Sequence, residues 1–288
     1  MDDRLLDSIC IALNTLGMHP QKLRGQNFLI SEDVVRDIAS VDVGSGKLPR
    51  LEIGAGLASL SSVLAEKEGR LDFIEIEEKF AARLKDLLAE RTDTHVHNAD
   101  ALTFDYSGLY GDEPYIIYGN IPYNITSPLL KRLLTAGGNW QYMVLMIQKE
   151  AAMRLCRGKG RENGPLTLML EYFGGGEICF DVPKNAFYPA PAVDSAVIRV
   201  KRKEGVVPDE AFFELFSFID AAFSLRRKTM ANSLAAAYPR FPKSYWQELF
   251  AAESLSATVR AEACSLRQFS ALFCRHTSRL SHQEALPR

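Results

Sequence analysis

Several things are scarce or missing in this 288-residue chain, and each narrows what it can be. No apolar run approaches the roughly 18–20 residues that a membrane-spanning helix needs, so no membrane partner is expected. Cysteine is sparse and scattered. Cys10, Cys156, Cys179, Cys264 and Cys274 are odd in number and form no Cys-x-x-Cys. That argues against a disulfide framework and for reduced, mostly packed thiols. The five histidines show no metal-ligand spacing. His95 and His97 would share one face of a strand, but no metal is expected. Neither charge sign dominates: 34 Lys and Arg face 36 Asp and Glu, for a net charge of −2. A dedicated nucleic-acid coat would be basic, so any polyanion must meet a local basic face. The start, Met1-Asp2-Asp3-Arg4, has two acids and no apolar block behind it. It fits neither a secretory signal nor an acid-poor transit peptide, and the cytoplasm is the expected compartment.

What is present suits a globular protein. Hydrophobic residues make up 47% and charged ones 24%, which allows a core without staples. The length suits one large domain plus a small one. Residues 1–18 read as an amphipathic helix (Leu5, Leu6, Ile9, Ile11, Leu13, Leu16) ended by Gly17. A basic segment over 20–30 runs into Gly25-Gln26-Asn27-Phe28-Leu29-Ile30, and Ser31 is placed to cap a helix reaching Ala39. Short apolar runs then alternate with helical stretches. Strands are expected at 51–53, 71–76, 94–98, 115–118 and 142–147. Helices are expected at 58–66, 79–90, 127–134 and 148–157. This rhythm predicts an α/β fold with a parallel, doubly wound sheet. Residues 157–164 are polar and glycine-rich and read as a loop. Two more strands, 178–182 and 196–201, flank Tyr188-Pro189-Ala190-Pro191. From Asp209 onward the pattern is helical, so residues 1–203 are expected to form one domain and 204–288 a small all-helical one.

The chemistry concentrates in a few places. Gly54-Ala55-Gly56 follows a strand and precedes a helix, where missing side chains let backbone approach a ligand. Ser59 stands where a dinucleotide fingerprint needs its third glycine, so alone the turn is equally a tight strand–helix connection. Glu75 ends the second strand about 20 residues on, the spacing of an acid that binds ribose hydroxyls. Glu77 and Glu78 rival it but read as solvated helix-start acids. Asp100 in Asn98-Ala99-Asp100-Ala101-Leu102 could accept from an adenine amino group, or simply cap a turn. No Gly-Lys-Ser/Thr loop is present to hold a pyrophosphate. The expected ligand is therefore a nucleoside without phosphates, a description S-adenosylmethionine meets.

Asn120-Ile121-Pro122-Tyr123 is more specific. An adenine N6 lone pair is delocalised into its ring and is a poor nucleophile. Two acceptors, Asn120 Oδ1 and the Ile121 carbonyl, can hold its two N–H bonds and favour a pyramidal nitrogen. Positive charge grows on that nitrogen during attack, so the acceptors help more in the transition state. Tyr123 would form one face of a base pocket and Phe187 the other, the arrangement used for chemistry on an unstacked nucleotide. Arg226-Arg227-Lys228 lies between two helical stretches and suits phosphate contacts. Lys22, Arg24, Arg154, Arg157, Lys159 and Arg161 could extend that face. A solvated charge run is the plain alternative.

Together these residues resemble the small-subunit ribosomal RNA adenine dimethyltransferases of the KsgA type, over about Gln21 to Phe269. The markers are Gly25-Gln26-Asn27-Phe28-Leu29, Leu51-Glu52-Ile53-Gly54-Ala55-Gly56, Ile74-Glu75-Ile76, Ala99-Asp100-Ala101 and Gly119-Asn120-Ile121-Pro122-Tyr123-Asn124-Ile125. They continue with Gln148-Lys149-Glu150, Phe187-Tyr188-Pro189-Ala190-Pro191-Ala192-Val193-Asp194-Ser195, Arg226-Arg227-Lys228-Thr229 and Ser265-Leu266-Arg267-Gln268-Phe269. The resemblance implies a Rossmann-like class I methyltransferase domain with a small helical C-terminal domain. It implies S-adenosyl-L-methionine as donor and transfer of four methyls to two adjacent adenosines near the 3′ end of 16S rRNA in the assembling small subunit. It places Asn27, Leu29, Gly54, Gly56, Glu75, Asp100, Ala101 and Asn120 at the donor. Ala55, Ala58 and Ala192 depart from the family's common Pro, Gly and Lys. The related large-subunit methyltransferases of the macrolide-resistance type share the Asn–apolar–Pro–Tyr motif. A mainly non-catalytic assembly factor is a further alternative. A monomer is expected, since no long apolar helix face asks for a partner. Residues 1–18 lie outside the common pattern, and the sequence gives them no role.

Overall fold

A computed structural model describes residues 4–21, 25–44, 47–158 and 163–284. Lys22, Arg24, Lys159 and Arg161, expected to extend a basic face, lie outside the described residues, as do the first three residues of the expected N-terminal helix. In chain order the elements are α1 (Arg4–Thr15), β1 (Phe28–Leu29), α2 (Glu32–Ser40), β2 (Arg50–Ile53), α3 (Ser59–Ala65), β3 (Leu71–Glu75) and α4 (Glu78–Leu87). There follow β4 (Thr94–Asn98), β5 (Tyr115–Asn120), α5 (Thr126–Thr135), β6 (Trp140–Gln148), α6 (Lys149–Arg157) and α7 (Pro165–Phe173). The chain continues through β7 (Gly176–Val182), β8 (Phe187–Tyr188), β9 (Ser195–Lys201), α8 (Glu210–Phe223), α9 (Met230–Ala237), α10 (Lys243–Ala252) and α11 (Leu266–Glu284).

Contacts divide the chain into two units. One comprises Met1–Cys156 and Gly174–Glu204, the other Arg157–Phe173 and Gly205–Arg288. The expected cut after residue 203 therefore falls within a residue of one division, but 157–173 groups with the helical unit. The cause lies in α7. Its Tyr172 and Phe173 rings meet Phe212 of α8 at 5.1 and 5.4 Å. Sequence reading assigned 165–173 no element, because Pro-Leu-Thr-Leu-Met-Leu-Glu-Tyr-Phe is apolar on nearly every side and shows no stripe. Its Leu168, Met169, Leu170 and Phe173 are all buried.

The first unit is built on a seven-stranded sheet in the order β4-β3-β2-β5-β6-β9-β7. β4, β3, β2, β5 and β6 run parallel. Every residue of β2 and β3 is buried, as expected for strands covered by helices on both faces. The strands of the β-α-β stretch are thus parallel, as expected, and the two strands beyond it, whose direction the sequence left open, are not. β9 runs antiparallel to β6 from Tyr142↔Lys201 to Gln148↔Ser195, and β7 antiparallel to β9. The connection from β7 to β9 has no crossover helix of the kind a parallel pair requires, and a strand's own sequence does not record its direction. The pairs Phe28↔Tyr188 and Leu29↔Phe187 join β1 to β8 in a separate two-stranded sheet too short to leave a periodic signal. Ser31 caps α2 as expected, its side chain accepting from the Val34 amide.

The helical unit packs α8 to α11 around aromatic rings. Phe212, Phe218, Trp246, Phe250 and Phe269 are at most 1% exposed. Asp209 caps α8 by accepting from the Phe212 amide at 2.8 Å. All five cysteines are free thiols. No described helix is long and apolar enough to cross a membrane.

Candidate active site

The C-terminal ends of the parallel strands carry the site. β2 leads into Gly54 and Gly56, whose φ values of +73° and +53° suit glycine. A Cβ on Gly56 would also lie 3.3 Å from the Phe28 ring. Glu75, at the end of β3, ties this turn down. Its Oε2 accepts from the Gly56 amide at 2.8 Å and its Oε1 from the Glu77 amide at 2.8 Å. Burial pushes the Glu75 carboxyl above the usual range, and these two amides pull it partly back. Ala58 sits at φ +73° as the residue before α3. Its backbone keeps the left-handed shape that a glycine would adopt without strain.

β5 ends in the predicted tetrapeptide. Gly119 lets it come close to β2: an added Cβ would sit 3.0 Å from the Ile53 carbonyl oxygen. The Asn120 Nδ2 donates to the Asn27 carbonyl at 3.0 Å. A carbonyl only accepts, so this bond fixes which end of the amide is nitrogen and leaves Oδ1 as the free-facing acceptor end. The Ile121 amide donates to Met146 O at 3.0 Å, and Ile125 N donates to Pro122 O at 3.1 Å, turning the chain into α5. The Tyr123 hydroxyl shares a 2.6 Å hydrogen bond with Ser195 Oγ. Ser195 is fully buried at the start of β9, so the phenol is held from the core side.

A cavity of about 350 Å³ lies between these segments. Asn27, Leu29, Gly54, Gly56, Glu75, Asp100, Ala101, Asn120, Ile121, Pro122 and Tyr123 all line it. The structure thus brings the expected donor residues and the tetrapeptide to one place. Asp100 also turns its own loop, with Oδ1 accepting from the Leu102 amide at 2.8 Å. Glu77 and Glu78 are not among the lining residues. Phe187 is placed differently from expectation. Its side chain is 3% exposed, belongs to the core cluster with Leu29 and Val182, and is not among the residues that line the cavity. Arg226, Arg227 and Lys228 belong to the helical unit, where they form an exposed turn between α8 and α9. The Arg226 carbonyl there accepts from the Arg260 guanidinium. His95 and His97 do share a face of β4, and both approach Asp72 Oδ1, at 3.6 and 3.2 Å. Among the described residues no cluster of His, Cys, Asp or Glu could hold a metal ion.

Glu52 was missed by sequence reading. It is 2% exposed on β2 and lines the cavity. Its Oε2 is buried without a hydrogen-bond partner among the described residues, as is the hydroxyl of Ser61. Burial pushes its carboxyl up to about 8, and the nearby Glu75 charge adds to the shift. The available signal was a lone acid inside an apolar strand, Leu51-Glu52-Ile53.

Strand order and cavity position define a Rossmann-like, class I methyltransferase fold. Comparisons with known proteins carry this further. A profile of the family described as ribosomal RNA adenine dimethylase matches residues 19–273. "Ribosomal RNA small subunit methyltransferase A" of Moorella thermoacetica is 35% identical, covering 93% of this chain and 98% of that one. The protein of the same name from Desulfitobacterium hafniense is 36% identical, covering 89% and 92%. Among solved structures, a 23S rRNA methyltransferase, ErmE, is 26% identical with a TM-score of 0.66, covering 86% of this chain and 99% of that one. A dimethyladenosine transferase from Plasmodium falciparum shares the fold with a TM-score of 0.73 at 22% identity, covering 88% and 98%. The chain belongs to the ribosomal RNA adenine dimethylase family. It is a methyltransferase that takes its methyl groups from S-adenosylmethionine.

Proposed function

We propose that this protein methylates N6 of two adjacent adenosines near the 3′ end of 16S rRNA, giving dimethyladenosines during small-subunit assembly. One observation carries the assignment of the donor to the cavity. Its lining includes the carboxyl side chains of Glu75 and Asp100, with Glu52 held protonated by burial, and no Lys, Arg or His among the described residues. Such a lining repels a phosphate and suits a ligand of net positive charge with hydroxyls and an amine to donate. S-adenosylmethionine fits that description. Glu75 still has lone pairs beyond those used by the two amides, and they suit ribose hydroxyls. The relatives named for the small subunit support the choice of substrate.

When bound, the donor supplies an electrophilic methyl carbon, whose bond to sulfur breaks with its electron pair remaining on sulfur as the adenine nitrogen bonds to carbon. The protein's part is to hold that nitrogen in line. Asn120, with Nδ2 tied to Asn27, presents Oδ1 to one N–H of the amine. The Ile121 carbonyl takes the other. Tyr123, fixed through Ser195, offers its ring to the base. No His or Lys is assigned as a base, because the methylated ammonium is acidic and loses its proton to water. Arg226, Arg227 and Lys228 supply phosphate contacts on the helical unit. The protein is proposed to act as a monomer in the cytoplasm.

The test is transfer of tritiated methyl from S-adenosylmethionine to small subunits lacking the dimethyladenosines, with large subunits in parallel and nucleoside mass analysis. Dimethyladenosine confined to the small subunit is expected. Label confined to the large subunit would move the protein to the resistance branch. Donor binding without label would favour an assembly factor.

A further inference from the structure

The family profile begins at residue 19, so α1 lies outside it. We infer that α1 is a positioning element for the donor cavity, holding Phe28 and through it the strap of residues 25–29 over Asn120. The inference rests on the assignment of this cavity to the donor.

The inner face of α1 carries Ile9, Ala12 and Leu13, each at most 4% exposed. They form one cluster with Phe28, Leu57 and Phe80, each of which lines the cavity. α1 therefore packs on the far side of three residues whose near side faces the ligand. Phe28 and Phe80 meet edge to face, with centroids 5.7 Å apart and planes at 80°. The end of α1 is fixed twice. The Leu16 carbonyl accepts from Lys79 Nζ of α4 at 2.9 Å, and the Met18 amide donates to Leu13 O at 2.9 Å, folding the chain back at Gly17. Beyond it, Gln21 and Gln26 clasp each other: the Gln21 amide donates to Gln26 Oε1 at 2.9 Å.

The strap's other contacts explain why this matters for chemistry. The Asn27 carbonyl, next to Phe28, orients the Asn120 amide. The Phe28 ring lies against Gly56, whose amide is held by Glu75. Phe28 thus sits between the amine-holding Asn and the glycine turn. If α1 no longer held it, both sides of the cavity would have to be ordered by the ligand, and that ordering is a cost of binding. A helix serving only general stability would lower the melting temperature without touching donor affinity.

The experiment uses the full-length protein carrying Ile9→Ala with Leu13→Ala. Calorimetric titration with S-adenosylmethionine and with S-adenosylhomocysteine reads donor affinity. Hydrogen exchange of donor-free protein reads the strap, and filter binding reads small-subunit affinity. The expected result is a loss of about tenfold in affinity for both the donor and its demethylated product, faster exchange at Phe28 and Gly56, and unchanged subunit affinity. Unchanged donor affinity in a variant whose strap exchanges faster would overturn the inference. Should the double variant not fold, Ile9→Val replaces it, with a rise in donor Kd of about twofold expected and no rise overturning the inference. Glu75→Gln and Asp100→Asn are titrated alongside. If neither weakens donor binding, the cavity assignment itself fails. If both do and the α1 variant does not, only the role of α1 is lost.

Discussion

The sheet unit and the helical unit treat charge in opposite ways. The first buries Glu52, Asp72 and Glu75 at 2%, 0% and 5% exposure. The second, among its described residues, buries no carboxylate, lysine or arginine, and leaves Arg226, Arg227 and Lys228 in solvent. Its core is made of rings instead, with Trp246 and His276 4.8 Å apart. The difference follows from what each must meet. Glu75 lines the cavity, and a small cationic ligand is read best by a charge fixed away from water, where each interaction is stronger. Asp72 lies outside the cavity and pairs with Arg70, and burial keeps Glu52 protonated. A polyanion is met by cations that can reach it and displace its counterions. Burying acids has a cost in stability, and the helical unit has no corresponding site to justify it.

The comparison can be broken most sharply at Asn120. Asn120→Ala should lower methyl transfer by about 10²–10³-fold, the range for removing one polar group aimed at developing charge, with subunit binding retained. A normal rate in single-turnover assays would remove the amine-holding role.

The buried acids give the next largest effect. The Glu52 carboxyl stands at about 8 in the folded protein against 4.5 for the unperturbed group. Between those values the folded state keeps a proton that the unfolded state has lost, so stability falls as pH rises through this window and levels off above about 8. Glu52→Gln removes the titration. It should match the parent near pH 5 and be more stable by roughly 2–4 kcal/mol near pH 9. Urea unfolding at both pH values checks this, and equal curves at pH 9 would show that Glu52 is not a burdened acid.

Arg226→Glu with Arg227→Glu tests the other pole. Small-subunit binding should weaken by about tenfold or more, and the slope of log affinity against log salt should shrink by about 1–2. Donor affinity should not change. An unaltered slope would count against an RNA face on this turn.

Two smaller effects sharpen the picture inside the sheet unit. Ser195→Ala frees the Tyr123 hydroxyl, and Tyr123→Phe removes it. Each should cost about 1 kcal/mol in RNA-dependent kcat/KM, and the two together no more than one alone. Additive losses would mean that the hydroxyls act separately. Ala58→Gly relieves a left-handed alanine and should stabilise the protein by up to about 1 kcal/mol, read as a higher melting temperature with unchanged donor affinity.

Most of the sheet was legible because its strands are short apolar runs bounded by turn residues, as in Leu51-Glu52-Ile53 before Gly54. The cavity was legible for a related reason. Gly54, Glu75, Asp100 and Asn120 each end or closely follow a parallel strand, and such strands bring their C-terminal ends to one side. Other features left no signal. α7 is apolar on nearly every side, β1 and β8 have two residues each, and the antiparallel course of β7 and β9 is a property of the path between strands. Phe187 was read as a base platform from its place before Tyr188-Pro189-Ala190-Pro191, but its pairing with Leu29 puts it in the core. Glu52 looked like one polar residue in a strand, and only its neighbours reveal a carboxyl without a countercharge.

The sequence by itself determined the alternation of strands and helices, the identity of the residues at the strand ends, and the type of ligand their acids suit. These are local matters of spacing and side-chain chemistry. Tertiary structure alone decided which groups lose water and which long-range partners they meet. The 93-residue separation between Asn27 and Asn120 is closed by a single hydrogen bond, and no local pattern records such a closure. Burial of Glu52 and the seat of α1 on Phe28 are likewise set by packing among segments distant in the chain, where exclusion of solvent fixes both charge and position.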